Sequence, residues 1–224
     1  MKIQATLLFL FLYSIVFAQT KTYDLYKTKQ AILVDGDLKD ISWKNLPEAT
    51  DFIQNFPTDS LNAESITKVK MCFDDKFLYV SAICYNNGNS DYVVNSLVRD
   101  FSFPKTDAFA IFVSTLQDNT NGLSFSVNPY NVQRDGLVTN AGNFGVSTAW
   151  NQKWFSEVKR YQNYWTLEMA IPLSLLKYKK NKDTWDINFA RNDLKRNETS
   201  TWSKVPIGFN VAAINYYGEM KFVD

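Results

Sequence analysis

No histidine occurs among the 224 residues. That absence removes Ser-His-Asp and Cys-His catalysis, histidine-held zinc and histidine-ligated haem, all of which need an imidazole. Cysteine is scarce as well, with Cys72 and Cys84 alone. They lie on the arms of an apparent hairpin around Asp74-Asp75-Lys76, either on opposite faces or about 20 Å apart along the strand. A disulfide needs Cα atoms within about 7 Å, so both read as buried free thiols. No phosphate-cradling glycine loop is present. Gly122-Leu123-Ser124-Phe125-Ser126 lacks the second glycine of a nucleophile elbow and alternates as a strand does. Only one long apolar run exists, Leu7 to Phe17, preceded by Lys2 and ended by Val16-Phe17-Ala18. It is short for a membrane span and reads as a signal peptide over 1–18, cleaved between Ala18 and Gln19. Without Lys2 the remaining basic and acidic residues balance, which argues against nucleic acid as a partner. The run Lys177, Lys179, Lys180, Lys182 has no stacking residues interleaved as a nucleic-acid platform would and reads as a solvated loop.

What the chain does have is aromatics and short strands. Residues 19–224 contain no repeat or low-complexity linker and are read as a single domain, expected as a monomer. Trp150 to Tyr178 carries the clearest pattern. Trp165, Leu167, Met169 and Ile171 alternate with Thr166, Glu168 and Ala170, the period of a half-buried strand. Pro172 ends that strand and suits the first turn of a helix, which Leu173, Leu175 and Leu176 continue. Trp150 and Trp154 sit in a polar stretch, as plugs over a core or as a platform for a ligand.

Elsewhere, Ala31 to Asp35 reads as a short strand, Asp37 to Leu46 as one or two helical turns, and Phe52 to Pro57 as extended. Thr67 to Phe73 and Phe77 to Tyr85 read as a hairpin. Tyr92 to Val98 is strand or irregular. Asp107 to Ser114 is a central strand, apolar on both faces, and Leu123 to Val127 alternates. Gly136 to Gly145 reads as a mobile glycine-bearing loop. Strands follow at Trp185 to Arg191, Ser200 to Lys204 and Glu219 to Val223. Many short strands without a long helix imply an all-β, antiparallel β-sandwich of jelly-roll type, with a closed barrel as the alternative.

Three chemistries stay open. Glu168, with Glu157, Asp135 or Asp100, could form the carboxylate pair of a glycoside hydrolase. Asp35, Asp37 and Asp40 cluster at one turn and Asp74 and Asp75 at another, and oxygen ligands on turns suit calcium as well as local backbone bonding. Met71, Met169 and Met220 could ligate haem, though methionine also fills cores.

Several motifs in one order resemble the carbohydrate-binding module family 9. Val34-Asp35-Gly36-Asp37-Leu38 followed by Trp43 is similar to its V-D-G-x-L-x-x-x-x-W opening. Phe73-Asp74-Asp75-Lys76-Phe77-Leu78-Tyr79-Val80 and Asp107-Ala108-Phe109-Ala110-Ile111-Phe112 resemble its next two signatures. Phe125-Ser126-Val127-Asn128-Pro129, Arg134-Asp135-Gly136, the stretch Trp150 to Tyr178 and Trp185 to Arg191 resemble a branch found before outer-membrane-type domains in large secreted Bacteroidetes proteins. Asn151 replaces that branch's usual aspartate. Tyr217-Gly218-Glu219-Met220-Lys221-Phe222 is similar to the closing strand. The resemblance implies a secreted or periplasmic cell-surface sandwich that binds an oligo- or polysaccharide, is non-catalytic by itself, requires no cofactor and is calcium-stabilised in characterised members. A hydrolase or outer-membrane partner is implied as well. It also implies a clamp of two tryptophans. At those places this chain has Phe101 and Phe103, and Tyr216, so these three join Arg134, Trp150 and Trp154 as ligand-binding candidates. An interaction scaffold that has lost its sugar site is the third reading, beside binder and hydrolase.

Overall fold

The structure, a computed structural model, describes residues 20–86, 91–179 and 182–223. The apolar run 1–18 and its cleavage point lie outside them. Among these residues thirteen strands form one connected sheet. In chain order they are β1 (Thr22–Lys27), β2 (Ile53–Phe56), β3 (Thr67–Phe73), β4 (Phe77–Tyr85), β5 (Ala108–Ser114), β6 (Gly122–Val127), β7 (Gln133–Val138), β8 (Val146–Ser147), β9 (Phe155–Arg160), β10 (Tyr164–Pro172), β11 (Thr184–Asp193), β12 (Glu198–Thr201) and β13 (Gly218–Val223). The spatial order is β8-β7-β6-β5-β11-β13-β1-β3-β4-β10-β9, with β12 and β2 extending from β11. The helical segments among the described residues are single 3₁₀ turns, at Ile41–Trp43, Phe103–Lys105, Asn140–Gly142, Leu173–Leu175 and Ile214–Tyr216.

The sheet is a sandwich because it curls onto itself. Residues from β5, β6 and β11 share one core with residues from β3, β4 and β10, including Phe109, Phe125, Phe189, Met71, Val80 and Leu167. Two antiparallel halves meet at β1, which runs parallel to both β13 and β3. The antiparallel expectation therefore holds for each half and gives way at their junction. There β1 lies between β13 and β3. β1 was missed by the sequence reading, although Tyr23 and Leu25 alternate with polar residues there and both are buried.

The free ends of the sheet are also brought together. The Asn131 side-chain amide donates to the Ser156 carbonyl (3.0 Å), and that of Gln133 donates to the Trp154 carbonyl (3.3 Å). These bonds satisfy carbonyls at and just before the start of β9, a sheet edge of the kind that otherwise templates aggregation.

Three other local readings change. Ala31 to Asp35 is not a strand. Its N–H groups go to carboxylates instead of a ladder: Leu33 N to Asp40 and Asp35 N to Glu168. Gly136 to Gly145 is largely ordered structure, with Gly136 buried in β7 and a 3₁₀ turn behind it. A Cβ on Gly136 would come within 2.2 Å of the Ser147 carbonyl oxygen, so the glycine is there to let β8 approach. Strand β10 is buried on both faces, not one, because the segment around Trp43, Val34 and Leu38 packs over its outer side. Cys72 and Cys84 are buried and free, as expected.

Candidate functional site

Glu168 on β10 is the carboxylate nearest to a catalytic candidate in the sequence, and its surroundings explain it differently. It is 1% exposed. One oxygen accepts the N–H groups of Asp35 (2.9 Å) and Gly36 (2.8 Å), and the other accepts Trp43 Nε1 (2.8 Å). Gly36 holds φ of 77° while its backbone lies against Lys159 of β9, a conformation and proximity that favour glycine. Burial pushes the Glu168 carboxyl above its ordinary value, opposed by those same donors. A group sealed beneath a turn cannot reach a glycosidic oxygen, so Glu168 is a fastener for the N-terminal segment.

Most of the other carboxylates named from sequence are engaged as well, whereas Asp100 keeps a buried Oδ1 with no hydrogen-bond partner among the described residues. Asp135 is fully buried, pairs with Arg99 and accepts Gln152 N at 2.8 Å. Glu157 lies beside the Asn131 amide. Asp37 pairs with Lys39 and Lys159, and Asp35 caps Asp37 N. Asp74 accepts two backbone N–H groups of its hairpin and the Tyr79 hydroxyl, and Asp75 pairs with Lys27. Among the described residues no group of three metal-capable side chains converges. The turn aspartates, neutralised by lysines or saturated by N–H donors, do not fit a calcium cage. Met71, Met169 and Met220 are fully buried in the apolar core and do not fit haem ligation.

The ligand-binding candidates divide between the two faces of the β5–β6–β7–β11 half. Trp154 is 3% exposed and Trp150 half-buried, and both stand edge-on to Phe125 at 5.5 and 6.0 Å on the inner face. The Arg99–Asp135–Gln152 network ties their loop down.

The outer face is different. Strand register sets Arg134, Ser126, Ala110, Ala190 and Thr201 in one row across β7, β6, β5, β11 and β12. Gly136, Ser124, Phe112 and Asn188 form the next row. The hydroxyls of Ser124 and Ser126 are buried without a hydrogen-bond partner among the described residues. Arg134 is half-buried and donates to the Val146 carbonyl at 3.3 Å. Burial depresses its guanidinium, while Asp100 and Asp135 act in the opposite sense.

Phe101, Phe103, Ile214 and Tyr217 pack on this face. The segments around Phe103 and Tyr216, far apart in sequence, are thus brought to one layer. Phe101 and Phe103 are themselves sunk into it, at 3% and 7% exposure.

Two loops roof the layer and carry aromatics that the sequence reading did not single out. A Cβ on Gly142 would strike the Ala212 carbonyl at 1.9 Å, and one on Gly145 would come within 3.0 Å of the Asn210 amide, so loops 139–147 and 205–217 touch. Phe144, beside Gly145, is 86% exposed. Phe209, beside Asn210, is 48% exposed and stands edge-on to the half-buried Tyr216 at 5.1 Å. The missed signal was local: a lone phenylalanine beside glycine and asparagine in a loop has no strand pattern to bury it. Exposed rings beside amides can stack on an apolar C–H face and hydrogen-bond its hydroxyls.

Residues 34–223 match the family described as carbohydrate family 9 binding domain-like. No curated protein matches the chain. Among solved structures it is similar to a carbohydrate binding module family 9 from Caldicellulosiruptor kristjanssonii in complex with cellotriose. That match has 19% identity, TM-score 0.64, and covers 90% of this chain and 93% of that one. The same organism's module in complex with glucose gives 20% identity, TM-score 0.62, and 89% and 95% coverage. A protein described as carbohydrate-binding from Bacteroides uniformis gives 14% identity, TM-score 0.67, and 92% and 100% coverage.

Proposed function

The chain belongs to the carbohydrate family 9 binding domain-like family, and from that premise we propose that it binds saccharide, without catalysis, at the roof of the β5–β6–β7–β11 face. One observation carries the reading. The two segments at which the family resemblance puts a stacking clamp converge on one layer, exposed Phe209 stands edge-on to Tyr216 on one of the loops that cover it, and exposed Phe144 lies on the other loop, which touches the first. In this reading Phe209, Tyr216 and Phe144 supply stacking surface, Asn210 and Asn143 supply hydrogen bonds, and Arg134 orders the floor below. Cello-oligosaccharides are the first ligands to try, because similar structures hold glucose and cellotriose. The leader at 1–18 fits export to the periplasm or cell surface, where a monomeric module of this kind would accompany a polysaccharide hydrolase.

The test is a glycan array followed by calorimetry with cello-oligosaccharides. Phe209→Ala is expected to weaken binding roughly tenfold, since an aromatic contact contributes about 0.5–1.5 kcal/mol beyond its buried area. Absence of binding to every glycan would overturn the proposal and favour an interaction scaffold. Hydrolysis abolished by Glu168→Gln would favour the enzyme reading instead.

A further inference from the structure

At the start of β11 a cavity of about 230 Å³ opens among four aromatic rings, Phe73, Tyr178, Trp185 and Phe222, with Lys182 and Asp183 at its border. The rings form corners. Phe222 meets Trp185 at 79° (4.8 Å between centroids) and Phe73 at 82° (5.1 Å), and Tyr178 tilts over Trp185 at 5.4 Å.

This is not the roofed face. Trp185 belongs to the inner core, whereas Ala190 of the same strand β11 packs in the outer layer beneath the roof loops. Trp185 is 2% exposed, yet its indole Nε1–H is buried with no acceptor among the described residues. A buried donor without a partner is costly, and a ligand oxygen would relieve that cost.

We propose that this cavity is a second saccharide site, taking a single neutral hexopyranose residue. Its volume is below the roughly 300 Å³ at which drug-sized sites begin, which suits one ring and not a chain. The aromatic walls offer faces to the ring's C–H surface. Asp183, on the exposed border, accepts hydroxyls, and Trp185 Nε1 donates to an oxygen. Lys182 is turned toward Gln117, its ammonium bonded to Oε1 at 2.6 Å, and the Asp183 carboxylate at the same border disfavours a uronate. A quaternary ammonium would satisfy the rings but would leave the indole donor unmet.

The ligand class is shared with the proposed function, but the site does not depend on it, and the experiment keeps the two apart. Methyl β-glucopyranoside, methyl β-galactopyranoside and methyl β-glucuronide are titrated at millimolar concentrations into the whole protein, with the indole N–H resonances followed by NMR. The Trp185 resonance is expected to shift saturably with a neutral glycoside. Tyr178→Ala and Asp183→Asn, both on the exposed border, should weaken that response at least tenfold, and Phe209→Ala should leave it unchanged. Tighter binding of the glucuronide would overturn the neutral class. No saturable shift at Trp185, or a shift insensitive to both border variants, would overturn the site, whatever occurs at the roof.

Discussion

Glu168 carries opposite meanings at the two levels of description. A glutamate on the polar side of an alternating strand reads as an available acid. In the fold it accepts three donors under the Val34–Leu38 turn. Glu168→Gln retains one oxygen but aims an NH₂ at donors, so at least one buried N–H loses its acceptor, at about 1–3 kcal/mol. Thermal melting should fall by several degrees in a domain of this size, with saccharide affinity at 25 °C unchanged. Lost binding with unchanged melting would sink the fastening role.

Titration gives a second readout. Burial raises the carboxyls of Glu168 and Asp107 above their ordinary 4.5 and 3.8. Just above those values the folded protein retains protons that the unfolded chain has released. The stability these groups contribute is therefore full below the unfolded values and lost as pH rises through the folded ones. Melting followed across that window should decline less steeply in the glutamine variant, since one of the two groups no longer titrates. The sequence placed Glu168 on the right strand. Its partners Gly36 and Trp43 lie more than a hundred residues away, beyond the reach of any local pattern.

Elements were legible where burial follows a simple period. The hairpin β3–β4 and the central strand β5 stand where Val, Ile and aromatic residues predict them, and β5 is buried throughout. Elements failed where side chains replace the ladder. Ala31 to Asp35 has the composition of a strand, but carboxylates take its N–H groups. The roof loops failed for a related reason: glycine and asparagine read as mobility, whereas Gly142, at φ of 80°, is the point where one loop's backbone rests on the other's. Gly142→Ala has both a disfavoured backbone conformation and a clash with the Ala212 carbonyl. It should separate the loops and weaken saccharide binding severalfold by calorimetry, while far-ultraviolet circular dichroism of the sheet stays as in the parent. Full retention of affinity would show that Phe144 and Phe209 act independently of loop contact.

At the scale of the molecule, the sandwich is one sheet turned over at β1, and this decides where ligands can go. The inner faces are filled by the shared core, so Trp150 and Trp154 lie against Phe125, and the two proposed sites fall at the outer roof and at the open end beside Trp185. That partition could not be read from sequence, because it depends on which face each tryptophan takes once two halves close. A roof site and an end site on opposite sides of β11 cannot grip neighbouring sugars of one chain end. They can engage two chains of a solid polysaccharide, and the second contact then forms at high effective concentration. Binding to insoluble glucan should therefore exceed binding to a soluble methyl glycoside by about a hundredfold. Either Phe209→Ala or Tyr178→Ala alone should remove most of that excess in depletion isotherms. An isotherm for Tyr178→Ala superimposable on the parent would mean that the roof alone holds the polymer.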